Sequence, residues 1–177
     1  TSAQKLLKLL RDYPVFHWLG DVDEVHYMLF MEVVRQYTEQ NRWPRKVVLY
    51  LNSFGGDLGV AEAFYDYVRA SGLHLVTVAA GDVESAAVVL FLSGEERYAS
   101  QFSSFLIHDP VLGMHGELTI RDIKLTSLHV SSMHERYLAI LSRASCIIKE
   151  ELDRISEDAS SFSAERAKEL GIAHEIF

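Results

Sequence analysis

The stretch Val47-Val48-Leu49-Tyr50-Leu51-Asn52-Ser53-Phe54-Gly55-Gly56-Asp57 decides the fold class of this 177-residue chain. Its first five residues are apolar or aromatic without a break, the pattern of a strand covered on both faces rather than on one. Gly55-Gly56 closes the strand, and Leu58 to Ala70 reads as a helix. Leu73 to Ala79 then repeats the continuous apolar pattern. A strand, a helix and a second buried strand require a crossover that returns the chain in the same direction, so the sheet is mainly parallel and the class is α/β.

Working outward, Leu6, Leu7, Leu9 and Leu10 predict a short helix ending near Pro14, and Val15 to Leu19 a strand closed by Gly20. Asp21 or Asp23 can cap a second helix, with Val25, Leu29, Val33 and Val34 near helical spacing on one face, broken by Asn41 to Pro44. Beyond the two decisive strands, Gly81 opens a turn that enters a helix running through Ser85 to Leu92. Phe102 to Ile107 is the next strand, ending at His108-Asp109-Pro110. A long helix follows from about Leu118 to Ser145, and a shorter one to about Ile155. The polar tract Ser156 to Ser161 interrupts the pattern before Ser163 caps a last helix, Ala164 to Leu170. The organisation expected is one domain: a βαβ head over 1–117, two helices over 118–156 and a closing segment over 157–177. The long helix carries apolar residues around much of its circumference, which calls for a second packing partner such as another subunit.

Composition narrows the function. Hydrophobic residues make up 49% of the chain and charged residues 24%, as in ordinary globular proteins. Seventeen Lys and Arg against 25 Asp and Glu give a formal charge of −8, which argues against nucleic acid as a partner, because that affinity depends on cations displacing phosphate counterions. The single cysteine, Cys146, rules out an intrachain disulfide, suits a reducing compartment and is expected to pack as a small apolar residue. Apolar runs such as Ala86 to Leu92 are too short to span a bilayer. No signal peptide is visible at Thr1-Ser2-Ala3-Gln4-Lys5, and a cytoplasmic location is expected, with a removed leader left open.

In open parallel sheets ligands bind outside the carboxyl ends of the strands. Three segments fall there: Asn52 to Asp57, Gly81 to Ser85, and His108-Asp109-Pro110. Ser85 at a helix start would be a nucleophile favoured by unpaired N–H groups, and His108 at a strand end its base. The same residue types serve as a cap, a turn and a structural histidine, and no Gly-x-Ser-x-Gly string surrounds Ser85, so residue patterns alone leave both readings open. His129 and His134 lie five apart on the long helix, off the spacing that puts two ligands on one face, and no metal site is expected. Tyr65 and Tyr67 read as core and rim.

Four motifs in order carry a family resemblance: Leu51-Asn52-Ser53-Phe54-Gly55-Gly56, then Gly81-x-x-x-Ser85, then Phe105-Leu106-Ile107-His108-Asp109-Pro110, then Phe162-Ser163-Ala164-Glu165-Arg166-Ala167 with Gly171-Ile172. Together they resemble the ClpP serine peptidase family, over the chain from about Lys5 to its end. The resemblance implies a ClpP/crotonase-like fold of repeated βαβ units. It makes Ser85 the nucleophile, His108 the general base, and the amides of Gly56 and Ala86 the oxyanion hole. The helix from about Leu118 becomes the handle of a homo-oligomeric ring, a heptamer or double ring, acting on peptides or unfolded polypeptides without a cofactor.

The pattern is departed from in places. Phe54 stands where the family has Pro, Glu84 where it has a small residue, and Ala86-Ala87 where it has Met-Gly. An ungapped alignment puts Ala159 at the family's acid, with Asp158 one position earlier, and a one-residue shift makes Asp158 the expected third member. Asp109 should point away from His108's side of an extended segment. The chain begins almost at its first helix, which leaves docking to a AAA+ unfoldase open. Two further readings stay open: a ring subunit or scaffold without activity, and a crotonase-fold acyl-CoA enzyme.

Overall fold

The computed structural model describes residues 1–39, 46–113 and 116–177. The predicted break at Asn41 to Pro44 lies outside the described residues. In chain order the elements are α1 (Ser2–Asp12), β1 (Val15–Leu19), α2 (Glu24–Glu39), β2 (Lys46–Ser53), α3 (Leu58–Ser71), β3 (His74–Glu84), α4 (Ala86–Leu92), β4 (Glu96–Ala99) and β5 (Ser104–Leu106). They continue with α5 (Ile120–Ala144), α6 (Lys149–Asp158), β6 (Phe162–Ser163), α7 (Ala164–Glu169) and β7 (Glu175–Ile176).

Strands β1, β2, β3, β4 and β7 pair in that order, all parallel, so the α/β class and the mainly parallel sheet expected from the apolar runs are present. Strand β3 is the hinge of the sheet. Its first part pairs with β4, Val76 to Ala79 against Glu96 to Ala99. Its last part, Asp82 to Glu84, pairs instead with Ser104 to Leu106 of β5, which in turn pairs antiparallel with β6.

Gly81 to Glu84 is therefore strand, not the turn expected from Gly81. The reason lies in the neighbouring strand. The register of β2 against β3 slips between Leu51 and Ser53, and Asn52 fills the gap: its side-chain oxygen accepts from the Asp82 amide at 3.0 Å. A Cβ on Gly81 would meet that carboxamide at 3.0 Å, and Gly81 has φ +107, so glycine lets the strand continue past the irregularity.

The main core lies on one face of the sheet and joins Leu49, Leu51, Leu75, Ala79 and Val83 to Phe30, Phe64, Phe91 and Tyr137 from the helices. On the other face, Leu6 and Leu9 of α1 cover Val48, Val76, Val78 and Tyr98. Both faces are thus covered over the central strands, which is why they read as unbroken apolar runs.

Helix α2 turns inward a face that only partly matches the one its spacing suggested. Phe30 and Val34 are buried, while Val25 and Leu29 are exposed, together with Met28. Aromatic size explains the choice: Phe30 packs 4.8 Å from Phe64 between ring centres, in a cluster that includes Trp18. Phe102, expected to begin a strand, is 84% exposed in the turn before β5. Cys146, expected to pack, is exposed between α5 and α6.

Helix α5 opens with a capping box, in which Asp122 N–H donates to the Thr119 hydroxyl and Thr119 N–H to the Asp122 carboxylate. Tyr137, Leu138 and Leu141 near its end are buried, whereas Ile120, Ile123, Leu125 and Leu128 near its start are exposed. Helix α6 continues through Ser156 to Asp158, beyond the expected stop at Ile155. Its inner face needs Ser156, which is buried.

Candidate active site

Ser85 sits where β3 stops and α4 begins. Its backbone, φ 54 and ψ −126, lies in a region that L-residues rarely occupy. The strand, one strained serine and the helix form a sharp elbow in geometry, although no Gly-x-Ser-x-Gly string announces it. Three contacts hold the elbow. The Ser85 amide donates to the Leu106 carbonyl at 2.8 Å, Val88 N–H donates to the Ser85 carbonyl at 3.0 Å, and the Tyr137 hydroxyl donates to the same carbonyl at 3.1 Å.

The Gly55-Gly56 loop lies directly against this elbow. A Cβ on Gly55 would come within 2.7 Å of the Ser85 Cβ, and one on Gly56 within 2.5 Å of the Val22 carbonyl oxygen. Val22 clamps the loop from the other side, donating to the Gly55 carbonyl and accepting from the Asp57 amide, both at 2.8 Å. The N–H groups of Gly56 and Ala86 have no acceptor among the described residues. Two free amides flanking one serine are the donor pair that a developing oxyanion needs.

His108 follows β5. Phe105 and Ile107 are buried in the core, so Leu106 and His108 alternate to the opposite side. The His108 Nδ1 lies 2.6 Å from the Asp109 main-chain carbonyl oxygen. A carbonyl can only accept, so Nδ1 carries the proton of this bond and Nε2 is left as the acceptor of a neutral ring. Gly56, Ser85, Ala86 and His108 line one cleft of about 550 Å³, whose far wall is Met133, Arg136 and Tyr137 of α5. Arg136 Nε donates to both carboxylate oxygens of Glu62 at 3.1 Å, tying α5 to α3 at the cleft wall.

Asp158 is placed elsewhere. It ends α6, is exposed, accepts from the Ser160 hydroxyl, and lines a shallow cleft with Glu151, Arg154 and Ile155. The next residue, Ala159, caps the helix in the left-handed region at φ 47 and ψ 36. The structure brings Ser85, His108, Gly56 and Ala86 together and leaves Asp158 out. Asp109 does turn away, its carboxylate accepting from the Ser156 hydroxyl at 2.5 Å. Glu84, the carboxylate immediately before Ser85, is held above the usual glutamate range by burial and by Asp82, against the opposing pull of His108.

Sequence reasoning missed Tyr137 as part of the site. Its place on the apolar face of the long helix was visible, but periodicity says nothing of where a hydroxyl ends. His129 lines the cleft while His134 lies beside Asp109. Among the described residues, no three His, Cys, Asp or Glu side chains are grouped to hold a metal ion.

The chain is similar to several known proteins. Proteolytic subunit 1 of the ATP-dependent Clp protease of Thermobifida fusca (strain YX) is 32% identical over 135 residues, which span 75% of this chain but 60% of that protein. Proteolytic subunit 3 from Frankia casuarinae is 30% identical over 180 aligned positions, covering 99% of this chain and 81% of that one. A mutant of ClpP1 from Listeria monocytogenes superposes with a TM-score of 0.78 over 100% of this chain and 96% of its own, at 20% identity, which speaks for the fold alone. The family described as Clp protease matches residues 8–177, and with that match the chain belongs to the Clp protease family.

Proposed function

We propose that this chain is a serine endopeptidase subunit that hydrolyses peptides or unfolded polypeptides. The observation that carries the reading is the strained Ser85 elbow sharing one cleft with His108 and with the free amides of Gly56 and Ala86. Ser85 Oγ attacks the scissile carbonyl carbon as its proton passes to His108 Nε2. The amides of Gly56 and Ala86 donate to the oxyanion. When the tetrahedral intermediate collapses, the C–N bond breaks and His108 returns the proton to the leaving amine. Water then attacks the acyl-serine with His108 again as base, which releases the acid and restores Ser85.

The exposed apolar residues at the start of α5 support association of several copies through that helix, as in a ring. The names of the relatives, which call them proteolytic subunits of an ATP-dependent protease, support an ATP-driven partner that delivers substrate. The single cysteine supports a cytoplasmic location. The test is labelling by a fluorophosphonate probe and cleavage of short fluorogenic peptides. Both should be lost in Ser85→Ala, and equal labelling of wild type and Ser85→Ala would refute the assignment.

One observation favours a second reading. With Asp158 away from His108, no carboxylate among the described residues is bonded to the imidazole, as expected of a ring subunit that has kept the fold without the activity. Assembly without peptide turnover in the wild type would select it.

A further inference from the structure

Resting on the reading of Ser85 and His108 as nucleophile and base, we infer that Asp109 is the positioning residue for His108. Its main-chain carbonyl fixes the imidazole, and its carboxylate is anchored by Ser156 across the α5–α6 pair. This gives the site an orienting group that lies next to the base in sequence and depends on α6, a helix that does not line the cleft.

Three observations carry it. First, the only hydrogen-bond acceptor given to His108 Nδ1 among the described residues is the Asp109 carbonyl oxygen, at 2.6 Å. That contact selects the tautomer with Nε2 free, the form a general base needs. Second, the Asp109 side chain points the other way and is held there. Its Oδ1 accepts from Ser156 Oγ at 2.5 Å and lies 3.6 Å from His134 Nδ1, a buried nitrogen with no hydrogen-bond partner among the described residues. Third, Pro110 follows directly, and a residue before proline is confined to extended backbone, so fixing the Asp109 side chain also fixes the direction of its carbonyl.

Alternative acceptors are accounted for. Asp158 is bonded to Ser160 and lines a different cleft. The Asp109 carboxylate cannot serve both Ser156 and the imidazole while the backbone stays extended. A neutral carbonyl orients the ring without supplying a full charge to the imidazolium, so the device provides geometry and leaves less electrostatic support than a carboxylate does.

Because Ser156 belongs to α6 and His134 to α5, the base is referred to the helix pair rather than to the sheet alone. A displacement of α6 against β5 would reach His108 through two hydrogen bonds.

The experiment compares wild type, Ser156→Ala, Asp109→Ala, Asp109→Asn and Asp158→Ala. Each is assayed for peptide turnover and by ¹⁵N NMR of the histidine imidazoles, with Ser85→Ala as the blank. Ser156→Ala and Asp109→Ala should lower kcat about tenfold with KM within about twofold, the range expected when a base loses its alignment. Asp109→Asn keeps an oxygen for Ser156 and should recover most of that loss, while Asp158→Ala should match wild type.

The His108 resonances should report the Nδ1–H tautomer in wild type and a mixture in Ser156→Ala. Unchanged kcat in Ser156→Ala, or an Nε2–H tautomer in wild type, overturns the inference. If wild type shows no Ser85-dependent turnover but the tautomer responds to Ser156→Ala as expected, the peptidase reading fails and the positioning of His108 stands.

Discussion

The Tyr137 hydroxyl donates a hydrogen bond to the Ser85 main-chain carbonyl at 3.1 Å, joining the long helix α5 to the one residue of the cleft whose backbone is strained. Tyr137 is fully enclosed, and burial pushes its hydroxyl well above the ordinary tyrosine range, so it remains a donor at any working pH. The Ser85 carbonyl also accepts from Val88, so one partner survives when the other is removed.

Tyr137→Phe should therefore cost about 1 kcal/mol, the net worth of one hydrogen bond, rather than unfold the protein. The elbow would lose its lateral support, and Ser85-dependent turnover should fall several-fold with KM little changed. Urea unfolding and labelling rates with a serine probe measure the two effects separately.

The strain at Ser85 can be read directly. A residue at φ 54 and ψ −126 costs of order 1–3 kcal/mol unless it is glycine. Ser85→Ala keeps that cost and Ser85→Gly removes it, so both variants should be inactive while Ser85→Gly is more stable than Ser85→Ala by about 1 kcal/mol after the entropy cost of glycine. Equal denaturation midpoints would mean that the elbow is relaxed.

Several of these features were legible in the residues and several were not. The runs Val47 to Leu51 and Leu73 to Ala79 identify buried parallel strands because both faces of the sheet are covered there, which is a condition that composition records. Ser85, His108, Gly56 and Ala86 were reachable through ordered motifs, and they meet in one cleft. The inward face of α2 was not reachable. Of the expected face Val34 is buried but Val25 and Leu29 are not, and the tertiary neighbours Trp18 and Phe64 of Phe30 decide which way the helix turns. The place of Asp158, in a different cleft from His108, was out of reach for a similar reason. Whether the loop after α6 slides by one residue depends on how Ala159 ends the helix, and a left-handed alanine is not a signal that spacing contains.

Glu84 makes the acid–base behaviour of the site testable. Burial and the charge of Asp82 raise its carboxyl above the ordinary glutamate value, with His108 opposing them. The folded state thus favours protonated Glu84 more than the unfolded chain does. The stability this contributes is complete below the unfolded value and is lost as pH rises through the folded one. At neutral pH the ionised carboxylate is a net burden, so Glu84→Gln should be more stable than wild type at pH 7, with the difference shrinking toward pH 4. Urea midpoints at the two pH values decide it, and an advantage that grows in acid would contradict the assignment.

Arg97 governs how the closing segment is fixed to the sheet. Its guanidinium is buried and donates to four main-chain carbonyls: Ile172 at 2.6 Å, Gly171 at 2.8 Å, Ala144 at 3.0 Å and Gly94 at 3.1 Å. One side chain on β4 thereby holds both the end of α5 and the turn after α7. Burial, with a smaller contribution from the charge of Arg69, lowers its pKa to about 10, which still leaves it fully charged at neutral pH. A lysine offers three donors from a single point and cannot span four acceptors in a plane. Arg97→Lys should cost roughly 3 kcal/mol through carbonyls left buried without donors. The loss should be local before it is global, because three of the four carbonyls that lose their donor belong to Gly171, Ile172 and Ala144. Amide exchange at Leu170 to Ala173 and at the α5 C-terminus should accelerate in Arg97→Lys while the amides of β2 and β3 keep their protection. Uniform acceleration across the sheet would instead mean that Arg97 stabilises the whole domain and has no special hold on the closing segment.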